Sequence, residues 1–366
     1  MTTVLNFFSQ SLRDAIKLSL LVLGGLLLVT PAAASGPGDQ GGYKVLPAIV
    51  RGNLAIFPVA ASYSHDTSQL MTLDEGVRSG QVTVTEAGDE RGLIRPGQQM
   101  PPRHEGAEVN RLVLYNNSSR PLLLLAGEIV TGGKQDRVIG SDRIVPPNTG
   151  PIDLGVFCVE PGRWVASSNN FGSMGAQMAQ PSVRTPAMAK QNQSEVWANV
   201  RDSNAKMARN LSASETVAVA GTTSYAKVFE SAPVKKAVAA YGGAESEQSI
   251  LRELRAKGAV GVVVAVNGRV LWADVFASTE LLSKYWPKLM RSYIAEAMTS
   301  ENSGAKADLH EAEIYMNNLS GGHEVVETEP EIFRRTEING DGYRIFELTA
   351  LLPKTGFNVH LTKIRE

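Results

Sequence analysis

From Asn53 to Trp164 the chain is a succession of short runs rich in valine, leucine and isoleucine, each closed by turn residues. Runs of that length are too short for helices that bury a long stripe, and they fit the template of antiparallel strands. Asn53–Val59, Gln81–Glu86, Arg111–Tyr115, Pro121–Leu125, Arg137–Ile139 and Ile152–Val159 are the expected strands, with a short helix over Leu73–Ser79. The turns at Asn116 to Ser119, Gly132-Gly133 and Pro146-Pro147-Asn148 punctuate them, because these residues tolerate the backbone angles of tight reversals. This half reads as a β-sandwich or partly closed barrel.

The second half changes period. Residues 167–193 are rich in serine, asparagine, glutamine, methionine, glycine and proline and show no periodicity, so they read as a long loop, either a lid or a disordered connection. Ser194 is placed to cap a helix, Tyr225–Tyr241 and Glu247–Lys257 read as further helices, and Asn267-Gly268 joins two apolar runs as a tight hairpin. Ser278–Met298 is helical in pattern, with a kink or restart expected near Trp286 because Pro287 lacks a backbone donor. From Asp308 the chain returns to strand-like runs, notably Tyr343–Leu351 and Phe357–Ile364. The fold class expected is α+β: a β-rich part at 53–166, the loop at 167–193 and an α/β part at 194–366, together one domain after a flexible leader at 35–52.

The first residues read as an export signal. Arg13 and Lys17 flank the apolar run Leu18–Thr30, and Pro31-Ala32-Ala33-Ala34 offers a small-residue cleavage site after Ala34. A membrane span takes ~20 apolar residues, which this run does not reach, so cleavage and a periplasmic or secreted chain without a stable membrane span are expected. Losing residues 1–34 removes Arg13, Lys17 and Asp14 and moves the formal charge from −1 to −2. That balance gives no basic excess for nucleic acid. The single cysteine, Cys158, has no internal disulfide partner, and it sits in a strand-like run where a buried thiol is expected.

Polar residues gather between apolar runs in Leu122–Trp164: Glu128, Lys134, Gln135, Arg137, Glu160, Arg163 and Trp164. Lys134 could serve as a point charge for an anion, Arg137 or Arg163 as a planar fork, Gly132-Gly133 as a close backbone approach and Trp164 as a stacking surface. Glu128, Glu160 and Asp274, the one acid in the strand Arg269–Phe276, are the acid–base candidates, and Gln135 completes the ligand-binding set. Alternatively, the same acids and bases pair with one another to hold turns and sheet ends. A phosphate loop is excluded, because five residues separate Gly127 from Gly133-Lys134 and Gln135 follows where Ser or Thr is needed. No zinc, calcium or serine-hydrolase motif is present, no cofactor is implied, and the five histidines show no local pairing with Cys158.

Gly127-Glu128, the segment GGKQDR at 132–137, the Val145-Pro146-Pro147 turn and CVEPGRW at 158–164 resemble the signature of a bacterial family. A second block, GVVVAVNGRVLWADVFAS followed by LLSKYWPKLMRSY, extends the resemblance from about Asn53 to Tyr293. The family is the ADP-ribosylglycohydrolase and rhodanese-phosphatase-associated protein domain, whose activity is unsettled. Its name implies proximity to NAD and ADP-ribose metabolism, and hence an ADP-ribose-like ligand.

Two functions follow. One is an exported domain that binds, and hydrolyses or transfers, a small phosphate- or ribose-bearing ligand. The other is a non-enzymatic envelope module whose charged signature is structural and whose surface meets a protein or a glycan.

Overall fold

The computed structural model describes residues 42–87, 110–173, 177–242, 247–352 and 356–366. The expected export signal at 1–34 and the first part of the leader lie outside them.

The hairpin at Asn267-Gly268 sets the middle of the larger sheet. Both residues hold left-handed φ, 53° and 79°, so the chain reverses in two residues with a twist that suits the flanking strands. The strands it joins, Ala259–Val266 and Arg269–Phe276, are buried almost throughout. Leu54–Ala60 pairs with the first, and Asn358–Arg365 with the second. Across the sheet the order runs Lys44–Val45, Leu54–Ala60, Ala259–Val266, Arg269–Phe276, Asn358–Arg365, Tyr343–Ala350, Phe333–Gly340, Gly322–Glu329, with Ile49–Arg51 paired to Leu54–Ala60. All these pairings are antiparallel. Residues 44–45 and 49–51 are therefore strands, where the sequence suggested a flexible leader.

Side-chain alternation divides this sheet between two cores. Val262, Val264, Trp272 and Phe276 face the long helix Thr279–Met298. Val263, Ala265, Ala273 and Val275 face the helix Leu309–Asn317. Asp308 caps this second helix by accepting the Glu311 N–H, in a region where the sequence pointed to strands.

The expected N-terminal β structure is present as two smaller sheets around one shared core. One has the order Val82–Glu86, Arg111–Asn116, Thr149–Cys158, Arg137–Ile139, Ile129–Val130; the other is Arg143–Val145, Leu122–Leu124, Met71–Thr72. Leu112, Leu114, Leu122, Leu124, Val145 and Val156 fill the space between them. The chain is thus α+β, with a partly closed β layer beside a helical, hairpin-containing part.

Thr279–Met298 joins the two parts. It is buried on nearly every side, as expected of a helix enclosed by protein rather than lying on its surface. Ser278 caps it, and it continues through Pro287 as one helix, without the restart that was one of the two expectations there. Tyr285 donates to the Leu123 carbonyl at 2.9 Å, and Ser292 to that of Ala179 at 2.9 Å. By contrast, the single helix expected over Tyr225–Tyr241 is two, Tyr225–Glu230 and Ala232–Gly242. Ser231 between them is extended, and Pro233 sits in the first turn of the second, where its missing N–H costs nothing.

Residues 167–193 differ most from expectation. Pro181–Met188 is a helix, and its Val183, Arg184 and Ala187 are fully buried. It has no side-chain cap and contains Pro186, so burial, rather than helix propensity, holds it in place.

Candidate functional site

Apart from Lys134, the charged residues singled out in the sequence fall into three clusters, the first two buried and the third partly open at Arg163 and Lys227, each closed by partners from distant parts of the chain. Asp274 is at the heart of the first, with no solvent exposure. Arg184 grips it with both terminal nitrogens, at 3.1 and 3.3 Å. Trp272 Nε1 donates at 2.9 Å, Thr362 Oγ1 at 2.9 Å, and Tyr293 through its hydroxyl. His360 Nε2 lies 3.3 Å away. A carboxylate offers about four lone-pair sites, so six polar contacts leave it saturated. Burial alone would push the Asp274 carboxyl up, but the Arg184 charge and the His360 and Arg184 bonds hold it far below the usual carboxylate range.

His360 extends this cluster outward. Its Nδ1 meets Asp142 Oδ2 at 2.6 Å, and Asp142 Oδ1 accepts the Ala126 N–H at 2.7 Å. Burial pulls the imidazole down, but the two carboxylates outweigh it and raise its pKa to about 9. It is therefore an imidazolium between two acids at neutral pH.

Glu128 belongs to the second cluster. It and Asp74 share Lys288 of the long helix, and Glu128 Oε2 also accepts the Leu125 N–H at 2.7 Å. Burial raises the Glu128 carboxyl, with Lys288 opposing and Asp74 adding to the shift. Lys288 is pulled down by burial but is held above its ordinary value by the two acids. This cluster neighbours the first through the backbone of Leu125 and Ala126. Gly127 explains the closeness: its φ is 94°, and a Cβ there would lie 2.5 Å from Arg184 Nε.

The third cluster holds Glu160, Arg163, Gln135 and Arg137. Arg163 Nη2 lies 2.5 Å from Glu160 and 3.4 Å from Asp136, and its nitrogens also reach the Gly132, Gly133 and Val165 carbonyls. Burial acts to raise Glu160, but the Arg163 bond, the Asp136 N–H and the charges of Arg163 and Lys227 hold it low. Its neighbour Asp136 is raised, by burial first and then by Glu160, despite the Ser224 hydroxyl at 2.6 Å. Gln135 Nε2 donates to the Glu160 carbonyl. Arg137 is fully buried, gives Nη1 to the Gln135 carbonyl at 2.8 Å, and stands 4.0 Å from Glu86.

Cys158 is opposite Arg137 in the adjacent strand. The thiol is buried as expected, and burial pushes its pKa up. Gly132 and Gly133 admit the chain at 168–171, since a Cβ on either would strike Ser168 or Phe171 at 2.5 and 2.3 Å. Of the residues singled out, Trp164 is exposed, with the Lys134 ammonium 5.3 Å from its ring.

Glu128, Glu160 and Asp274 thus do not meet around one cavity, whereas Gln135, Arg137, Glu160 and Arg163 do share a neighbourhood. Asp74, Asp142, Arg184, Lys288, Tyr293 and His360 escaped the sequence reading. Lys288 and Asp142 carried a signal, one as a lysine inside the strongly apolar second block, the other as an acid within the first. Arg184 carried none, lying in a stretch without periodicity.

The chain belongs to the ARG and Rhodanese-Phosphatase-superfamily-associated Protein domain family. The family model matches residues 42–362, which takes in all three clusters. No curated protein and no solved structure matches the chain. Among the described residues, no group of three or more His, Cys, Asp or Glu side chains is placed to hold a metal ion, and no helix is long and apolar enough to cross a membrane.

Two outcomes follow from the first cluster. Asp274→Ala leaves Arg184 buried without its counter-ion and is expected to cost about 3–5 kcal/mol in urea unfolding; a loss under about 1 kcal/mol would contradict the saturation described here. His360 has a folded-state pKa raised from 6.5 to about 9, so its contribution is complete below pH 6.5 and is lost as pH rises through 9. Unfolding free energy measured at several pH values across that window should fall more steeply for the parent than for His360→Gln; parallel curves would refute the assignment.

Proposed function

We propose that the chain is an exported, non-enzymatic binding module in which the charged family signature holds the fold together. Arg163 is the observation that carries this reading. It is one of the two arginines that could fork a phosphate, yet its terminal nitrogens are taken by two carboxylates and three carbonyls. Glu128 and Asp274 are equally committed, to Lys288 and to Arg184 with its companions. Acids and bases that neutralise one another within the fold have little left to spend on a substrate. The apolar run and small-residue site at 18–34 support export.

The second reading, a small phosphate- or ribose-bearing and ADP-ribose-like ligand, draws on Lys134 and Trp164. An ammonium beside a half-exposed indole would suit an anion with a stacking ring.

Thermal unfolding of the purified chain with phosphate, ADP-ribose, NAD or a nucleoside monophosphate separates the two. No ligand should raise the melting temperature, because stabilisation requires binding to the folded state. The double variant Lys134→Ala, Arg163→Ala should be less stable by about 1–3 kcal/mol, since Glu160 and Asp136 lose their shared donor. A rise in the parent that disappears in a folded double variant would establish the second reading. Export is checked by sequencing the N-terminus of protein recovered from the periplasm or medium. Ser35 is expected first, and an uncut chain confined to the cytoplasm would rule out export.

A further inference from the structure

A half-enclosed cleft of about 230 Å³ lies between the turn at 140–142, the end of helix Pro181–Met188 and the strands Phe333–Gly340 and Tyr343–Ala350. It is smaller than the usual volume of drug-sized sites, about 300–1,000 Å³, so its occupant is small.

The charges facing it already have counter-ions within the protein. Asp142 is bound to His360, Glu337 receives Arg344 Nη1 at 3.3 Å, and Arg335 pairs with Glu327 at 2.9 Å. Strand alternation turns the Glu347 side chain to the opposite sheet face, where its charge acts on Tyr43 and Tyr63. An ionic ligand would therefore find no unpaired charge to neutralise.

A neutral donor of hydrogen bonds would find more. Asp142 and Glu337 keep lone pairs beyond those their partners use, and bonds to ionised acceptors are shorter and stronger than neutral ones. Gln191 gives its amide hydrogens to the Ala187 and Met188 carbonyls, at 2.9 and 3.1 Å, which leaves its side-chain oxygen to accept. Met188, Val326 and Phe346 make the remaining wall apolar. Several acceptors beside an apolar patch match a molecule with hydroxyls around its rim and C–H groups on its face.

We infer that this cleft binds a neutral polyol the size of one sugar ring. The inference rests on the reading of the chain as a binding module, and it uses a site that the sequence did not single out.

Calorimetric titration of the purified chain with glucose, N-acetylglucosamine and chitotriose tests it, with phosphate and putrescine as ionic probes. Saturable binding of at least one monosaccharide is expected. It should weaken at least about tenfold in Val326→Arg, which lays a long side chain across the cleft from a partly exposed position, and in Asp142→Asn. Val326→Arg keeps the test decisive if Asp142→Asn does not fold. Chitotriose binding tighter than its monomer would point to a glycan end as the source; equal or weaker binding would point to a free sugar. The inference falls if no sugar saturates, if Val326→Arg binds as the parent does, or if phosphate or putrescine binds more tightly than every sugar. Phosphate binding that persists in Val326→Arg and is lost in the Lys134→Ala, Arg163→Ala variant belongs to the Lys134 and Arg163 region and does not count against the cleft, so the two proposals fail independently.

Discussion

A single buried carboxylate holds the two parts of this molecule in register. Asp274 lies on a central strand, Arg184 on a helix from the segment after the β-rich part, Tyr293 on the helix between the parts, and His360 and Thr362 on the neighbouring strand. Through His360 the chain of contacts reaches Asp142 and so the smaller sheets. An isolated charge in such an interior is costly, and each partner lowers that cost only from one position. The network therefore rejects packings that hydrophobic contacts alone would tolerate. Lys288 acts likewise a little further up the same helix, drawing Asp74 and Glu128 toward it.

The signature glycines have the same purpose as the signature charges. Gly127 lets Arg184 pass close to the backbone, and Gly132 and Gly133 let the segment at 168–171 lie over the third cluster. Two properties that suggest an anion cradle, small residues and cations in one loop, here accommodate the protein's own chain. The cleft beside Asp142 differs from all of this, because its polar groups are balanced in charge but not exhausted in hydrogen bonding.

What could be read in the sequence was what depends on neighbours along the chain. Asn267-Gly268 announced its hairpin because positive φ is a local demand, Ser278 announced a helix start, and Cys158 sat in a run that had to be buried. Pro181–Met188 was hidden because its stability comes from burying Val183 and Ala187 against remote elements. Leu309–Asn317 had a local signal, the Asp308 cap, but a short helix between strand-like runs gives little periodicity to support it. The partners of the candidate residues were least legible. Glu128 pairs with Lys288 from 160 positions away, and nothing local distinguishes an acid awaiting such a partner from one awaiting a substrate. The family signature drew attention to these residues without telling which of these purposes they serve.

The placement of Leu54–Ala60 bears on how the chain becomes a protein at all. This strand is made early, yet its long inner edge is covered by Ala259–Val266, and the far side of that hairpin waits for Asn358–Arg365. Closing a sheet over such separations must await the synthesis of Asn358–Arg365, and loop closure makes it slow. A nascent chain therefore carries Leu54–Ala60 without the partner that completes its edge until Ala259–Val266 has been made. The order of strands thus makes the larger sheet one of the last parts of the described fold to close.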